Sequence, residues 1–132
     1  MSSEVKLSEE ELILPWKGQE TYEILIYIGI WLEDKNLDKS FYFFEIASNQ
    51  SSLACWHAGK ILMKMKRYEE AIAYFEKSMD VVKDHQATLY LIAKSYYLIG
   101  ETGKCNDFID KILEINPSNG AAKALQRRIM QS

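Results

Sequence analysis

The chain should fold as an all-α protein, a solenoid of antiparallel helix pairs with about seven main helices. Three features predict this. Apolar residues run through helix-length segments separated by breaks of two to five residues, and such short breaks force neighbouring helices to lie antiparallel. Proline is confined to Pro15 and Pro117, and no pair of alternating segments flanks a hairpin turn signal. The pattern of residue classes across 52–85 also recurs across 86–119.

Taken in order, "LSEEELILP" opens with Ser8, has Glu11 three residues on and stops at Pro15, a capping-box pattern for a short helix. The stretch at 18–35 is apolar nearly all round and rich in β-branched residues, so a buried strand competes with a helix; its length and the later pattern favour helix. Helical segments follow at 36–49, 51–66, 67–82, 85–100 and 101–116, the last ending at Pro117. A final helix covers about 120–130, with Ser118 as the expected cap.

The 132 residues suffice for one domain with a single core. With 48% apolar and 27% charged residues, the composition is that of a globular chain rather than a disordered one. A net charge of −3 argues against nucleic acid or an anionic membrane surface as a partner. Acidic Glu4, Glu9, Glu10 and Glu11 near the start, and basic Lys123, Arg127 and Arg128 near the finish, suit the dipoles of solvated helix ends. Cys55 and Cys105, the two cysteines, are read as buried free thiols in a reducing compartment. The longest apolar run, "ILIYIGIWL" from Ile24 to Leu32, falls well short of the roughly 20 residues a membrane helix needs. With no secretory leader, the expectation is a cytoplasmic protein, though a trimmed membrane anchor would leave no trace.

Laying the second of those stretches over the first places Cys55, Ala58, Gly59 and Leu62 on Leu89, Ile92, Ala93 and Tyr96. It also places Ala71 and Phe75 on Cys105 and Ile109. Identities are few, Lys60/Lys94 and Lys77/Lys111, so the signal is a pattern of sizes rather than a duplicated text. That pattern resembles the tetratricopeptide repeat family, whose units read W-x2-L-G-x2-Y, then A-x3-F, then P. Here the units read Cys55-x2-Ala58-Gly59-x2-Leu62 with Ala71-x3-Phe75, and Leu89-x2-Ile92-Ala93-x2-Tyr96 with Cys105-x3-Ile109 and Pro117. Lys83 stands where the middle unit would have its proline. A degenerate earlier unit reads Ile24-x2-Tyr27-Ile28-x2-Trp31 with Ser40-x3-Phe44. The resemblance implies repeats at about 21–51, 52–85 and 86–119 and a capping helix at about 120–130. These form a single domain from residue 18 to 132, after an N-terminal segment at 1–17.

Small residues inside these helices have a physical use. Helices approach more closely when small side chains meet at the crossing. Gly59 loses about 1 kcal/mol of helix propensity against Ala, and Ala71 of the paired helix is expected to close on it. Ala93 and Cys105 should repeat that contact.

No phosphate loop, HExxH or nucleophile elbow is present. His57 lies two residues from Cys55, and on a helix such residues point about 200° apart, so they cannot share a ligand. The expectation is a chain with no enzyme activity, no cofactor and no metal site.

In the resembled family the first helix of each pair lines a concave groove. The resemblance therefore implies a protein-interaction module, an adaptor, scaffold or chaperone-like protein, that holds a partner's peptide or helix there. The groove places are Trp56, Lys60 and Met63 in the second unit and Tyr90, Lys94 and Tyr97 in the third, with Leu25, Gly29 and Leu32 in the first. One subclass grips acidic chaperone tails with a Lys, Asn and Arg clamp. The matching places hold Leu25, Gly29, His57, Ala87 and Leu91, so that clamp is absent. The rival readings are that Trp56 and Tyr90 only fill repeat joints, that the chain is a self-assembling structural protein, or that it is the soluble part of a membrane-anchored, fission-adaptor-like protein. At the N-terminal end, Phe41, Tyr42, Phe43 and Phe44 point around a whole helix, so one should face outward and need a cover. That cover is either Leu12, Ile13, Leu14 and Trp16 folding back, or a second copy in a homodimer.

Overall fold

The computed structural model describes residues 21–80 and 85–131. The helix expected after Ser8 lies outside the described residues. Among the described residues seven helices follow in order: α1 (Thr21–Leu32), α2 (Leu37–Ala47), α3 (Ser52–Lys64), α4 (Tyr68–Ser78), α5 (Gln86–Leu98), α6 (Thr102–Ile115) and α7 (Gly120–Gln131). Among the described residues there is no strand, so the β-branched stretch before Leu32 is helical. Each helix packs on its neighbours in the chain; the tightest pairings are α1 with α2, α3 with α4 and α5 with α6, and α7 closes on both α6 and α5.

Local chemistry sets the helix ends. Asn36 Oδ1 accepts from Lys39 N at 3.0 Å, and Ser51 Oγ accepts from Ala54 N at 3.3 Å. The cap of α7 is Asn119, whose Oδ1 accepts from Ala122 N at 3.0 Å. The expected Ser118 instead turns its hydroxyl to Asn116 Oδ1. The second helices of the later pairs start without a side-chain cap; at α4, Arg67 forks onto Glu70 at 2.9 and 2.6 Å.

The turn inside each later pair is the same left-handed stop. Lys66 has φ 63° and Gly100, its counterpart in the next pair, has φ 85°. Arg67 N bonds Leu62 O at 2.8 Å and Glu101 N bonds Tyr96 O at 2.9 Å, the long closing bond of a Schellman turn. Lys66 holds a conformation that costs a side-chain-bearing residue about 1–2 kcal/mol. Lys66→Gly should therefore raise stability by up to about 1 kcal/mol after the entropic cost of glycine, read from the urea midpoint.

The register of the repeat is physical. Cys55, Ala58, Leu62, Ala71 and Phe75 of the second unit, and Leu89, Ile92, Ala93, Cys105 and Ile109 of the third, are all buried to 3% exposure or less, while Tyr96, the counterpart of Leu62, is half-buried. What closes on the small residues differs from expectation. The atoms nearest to a Cβ built on Gly59 are those of the Phe75 ring, at 2.7 Å, rather than Ala71, and one on Gly29 would lie 2.7 Å from Phe44. Each aromatic ring lies against the bare backbone of the first helix. Ala93 and Ile109, in one core cluster, hold the same two places with a larger and a smaller residue.

Gly29 also corrects the first unit. Its buried positions are Leu25, Ile26, Gly29 and Leu32, while Tyr27 and Trp31 are exposed. The unit therefore reads Leu25-x2-Ile28-Gly29-x2-Leu32, one residue later than the sequence suggested, because the bulk of Tyr27 and Trp31 had masked the glycine. Ser40-x3-Phe44 holds: Ser40 is fully buried and its Oγ donates to Gly29 O at 2.7 Å.

Burial pushes the Cys55 thiol pKa up, and that of Cys105 up to about 11. Both thiols are free and buried. Neither should react with a thiol reagent at neutral pH until the chain is unfolded; a colorimetric titration with and without denaturant checks this.

Candidate functional site: a cleft across α3, α5 and α7

Trp56 and Lys60 on α3 and Tyr90 on α5 are brought together. They line one cleft of about 460 Å³ with Gln86, Ala87 and Leu91 of α5 and with Asn119 and Ala121 at the start of α7. Trp56 also forms a wall of a second cleft of about 380 Å³ with Ser52, Leu53, Ser78, His85 and Thr88. Lys60 Nζ lies 4.5 Å from the centre of the Trp56 ring, close enough for cation–π attraction. The floor toward α7 is fixed by Gln86, whose Oε1 accepts from Asn119 Nδ2 at 3.0 Å.

The remaining sequence candidates are placed differently. Met63, Lys94 and Tyr97 lie one to two turns further along α3 and α5, half-buried, and do not line this cleft. Leu25 is a core residue at 5% exposure, and Gly29 and Leu32 are buried with it. The corrected register gives Ile26, Ile30 and Glu33 as the matching places of the first unit.

Glu33 links the first two units. Its Oε1 is 3.6 Å from His57 Nδ1 and its Oε2 is 4.0 Å from Lys64 Nζ. The His57 ring stacks on Phe44, with centroids 4.9 Å apart and planes 11° apart. At 3.6 Å the Glu33 contact is longer than a hydrogen bond, so Nδ1 is buried without one among the described residues. Burial lowers the His57 pKa from 6.5, and the nearby Glu33 carboxylate offsets only part of that. The unfolded chain therefore takes up this proton first. Stability from this site is intact above about pH 6.5 and declines as pH falls below it. His57→Phe, which keeps the stacking, should flatten the fall in thermal midpoint between about pH 7 and pH 5.5.

Helix pairs recurring at a fixed spacing, with a cleft shared by their first helices, can be compared with known proteins. The tetratricopeptide repeat description matches residues 62–129. The chain belongs to the tetratricopeptide repeat family. The "TPR repeat-containing protein MJ1428" of Methanocaldococcus jannaschii is 35% identical over 69 residues, 52% of this chain. That match covers 12% of the relative, so the chain spans about an eighth of that protein's length. Among solved structures, the first TPR of Spaghetti (RPAP3) bound to HSP90 peptide SRMEEVD has a TM-score of 0.77 at 11% identity, over 86% of this chain and 94% of that one. MamA has a TM-score of 0.72 at 15% identity, over 86% and 67% of the two chains. The CopN–Scc3 complex has a TM-score of 0.71 at 16% identity, over 99% and 79%. These likenesses show the fold.

Reading the tetratricopeptide pattern alone misses Gln86, Asn119 and Ala121. They sit at helix starts, outside the motif positions, and the one signal is the pairing of amide side chains 33 residues apart. Among the described residues no three His, Cys, Asp or Glu side chains gather where they could hold a metal ion, and no helix is long and apolar enough to cross a membrane.

Proposed function

We propose that the chain is a non-enzymatic adaptor, scaffold or chaperone-like module. It holds an extended or helical segment of a partner protein in the groove of α3, α5 and α7. The observation that carries this reading is the Trp56 cleft. An indole and a phenol, flanked by a lysine, line a space of about 460 Å³ open to solvent, the kind of lining that accepts one apolar anchor and a neighbouring acid. Lys94, Tyr97 and Met63 would meet the next turns of the same segment. The two buried thiols suit a reducing compartment, and we place the protein in the cytoplasm.

The groove is not built for an acidic chaperone tail. With the corrected register, the clamp places hold Ile26, Ile30, His57, Ala87 and Leu91, none of them a Lys, Asn or Arg. SRMEEVD, the peptide held by the Spaghetti domain, should show no saturable binding in calorimetry at peptide concentrations up to about 1 mM, which corresponds to roughly −4 kcal/mol. Groove binding itself is tested with a displayed library of random peptides. Sequences enriched on the wild-type chain and lost on Trp56→Ala support it, and enrichment that ignores the substitution rules it out.

A further inference from the structure

Charge divides between the two sets of helices. α3 carries Lys60 and Lys64, α5 carries Lys94, and α7 carries Lys123, Arg127 and Arg128; none of the three helices holds an Asp or Glu. The acids lie on the second helices, Glu69, Glu70 and Glu76 on α4 and Asp107, Asp110 and Glu114 on α6. In a chain of net charge −3, the helices that wall the Trp56 cleft thus carry only positive charge. The cations also keep register. α3, α5 and α7 start at Ser52, Gln86 and Gly120, one repeat apart each time. Lys60, Lys94 and Arg128 are each the ninth residue of their helix, one turn beyond Trp56, Tyr90 and Ala124. Lys60 and Lys94 are half-buried and Arg128 is exposed. Among the described residues none of the three has a carboxylate at ion-pair distance, whereas Lys64 is 4.0 Å from Glu33 Oε2. None of the three stands at a clamp place.

We propose that the occupant of the groove is an extended acidic segment of a partner protein, which crosses α3, α5 and α7 with carboxylates on Lys60, Lys94 and Arg128 and an apolar side chain between Trp56 and Tyr90. This rests on the groove reading above and adds the chemistry of the partner. α7 packs on α5, and packed helices lie about 8–10 Å apart. An extended chain rises about 3.3 Å per residue, so an acid at every third residue meets one cation per helix. A helical segment, rising about 1.5 Å per residue, would need its acids about six apart. A neutral or basic segment with the same apolar anchor gains nothing from the row, so the row selects among partners as well as attracting them.

The test sorts the random displayed library on the wild-type chain and on a charge-reversed chain with Lys60→Glu, Lys94→Glu and Arg128→Glu. Peptides enriched on wild type and lost on Trp56→Ala should show acids three residues apart well above the unsorted library, and the charge-reversed chain should select Lys and Arg at those places. A Trp56-dependent set with no acidic excess, or with acids only at helical spacing, overturns the proposal and leaves the groove reading standing. Absence of any Trp56-dependent set removes both. A milder variant guards against misfolding. Lys60→Gln with Lys94→Gln and Arg128→Gln should keep the thermal midpoint and weaken a selected peptide about tenfold in low salt and less in high salt, read by fluorescence anisotropy. Unchanged affinity overturns the proposal. So does a DNA duplex or a phosphatidylserine vesicle that binds wild type as tightly as the peptide and is lost on the same variant, since the row would then be a general polyanion surface.

Discussion

Gly59→Leu should cost several kcal/mol, a large share of the roughly 5–15 kcal/mol that holds a domain of this size together. Even the first added carbon would sit 2.7 Å from Phe75, a ring with no exposure and so no room to retreat. Gly59→Ala tests two opposed effects at the same atom. Alanine is worth about 1 kcal/mol of helix propensity over glycine, while overpacking a filled core costs about 1–3 kcal/mol. The steric term should win, so Gly59→Ala is expected to lower stability by up to about 2 kcal/mol. Lys64→Leu, on an exposed side of the same helix, should stay within about 0.5 kcal/mol. The decisive arm is a rescue. Phe75→Ile together with Gly59→Ala rebuilds the Ala93 and Ile109 pair of the next unit, and the double variant should be more stable than additivity of the two singles gives. Urea unfolding followed by circular dichroism measures the five variants against wild type, and strict additivity would disprove the contact.

Trp56→Ala should weaken a groove-selected peptide roughly thirtyfold, since a buried aromatic anchor commonly carries about 2 kcal/mol or more and each ~1.4 kcal/mol is tenfold. Lys60→Ala and Lys94→Ala should do less, and their effect should shrink with added salt, as expected of charges that steer more than they anchor. Trp56 also packs half-buried against the core cluster of α4 and α5, so affinity has to be measured on folded chain. Trp56→Phe separates the two roles. It keeps an apolar ring and removes an indole N–H that is buried without a partner among the described residues, an arrangement that costs about 1–3 kcal/mol. The variant should be no less stable than wild type while losing part of the cleft wall. A peptide that binds Trp56→Ala as tightly as wild type would make Trp56 a joint residue and nothing more.

The class, the helix count and the register of the later pairs were legible because the constraint is one of size at fixed spacing. Ala58, Gly59 and Ala71 have to be small wherever backbones approach. The first unit was misread by one residue because hydrophobicity alone cannot tell a buried tryptophan from an exposed one. Trp31 lies 63% in solvent while Leu32 beside it is buried. The aromatic run at Phe41–Phe44 shows the converse. Phe43 and Phe44 are buried, and Phe41 packs edge-on against Tyr74 at 5.8 Å, so the exposed apolar face lies on α1 and not on α2. The cleft was half legible. Trp56, Lys60 and Tyr90 follow from helical spacing, but Gln86 and Asn119 meet only because α7 folds back on α5, and no local pattern encodes that.

Packing that runs almost wholly between chain neighbours makes the molecule a short zipper rather than a knot. Opening can begin at an end and advance one pair at a time, because losing α1 leaves the contacts of α5 and α6 untouched. The Trp56 cleft bridges three teeth of that zipper, with walls from α3, α5 and α7. Anything held there would have to leave before the C-terminal half could part. A bound partner would therefore act as a clasp, slowing unzipping from the α7 end in proportion to its own residence time.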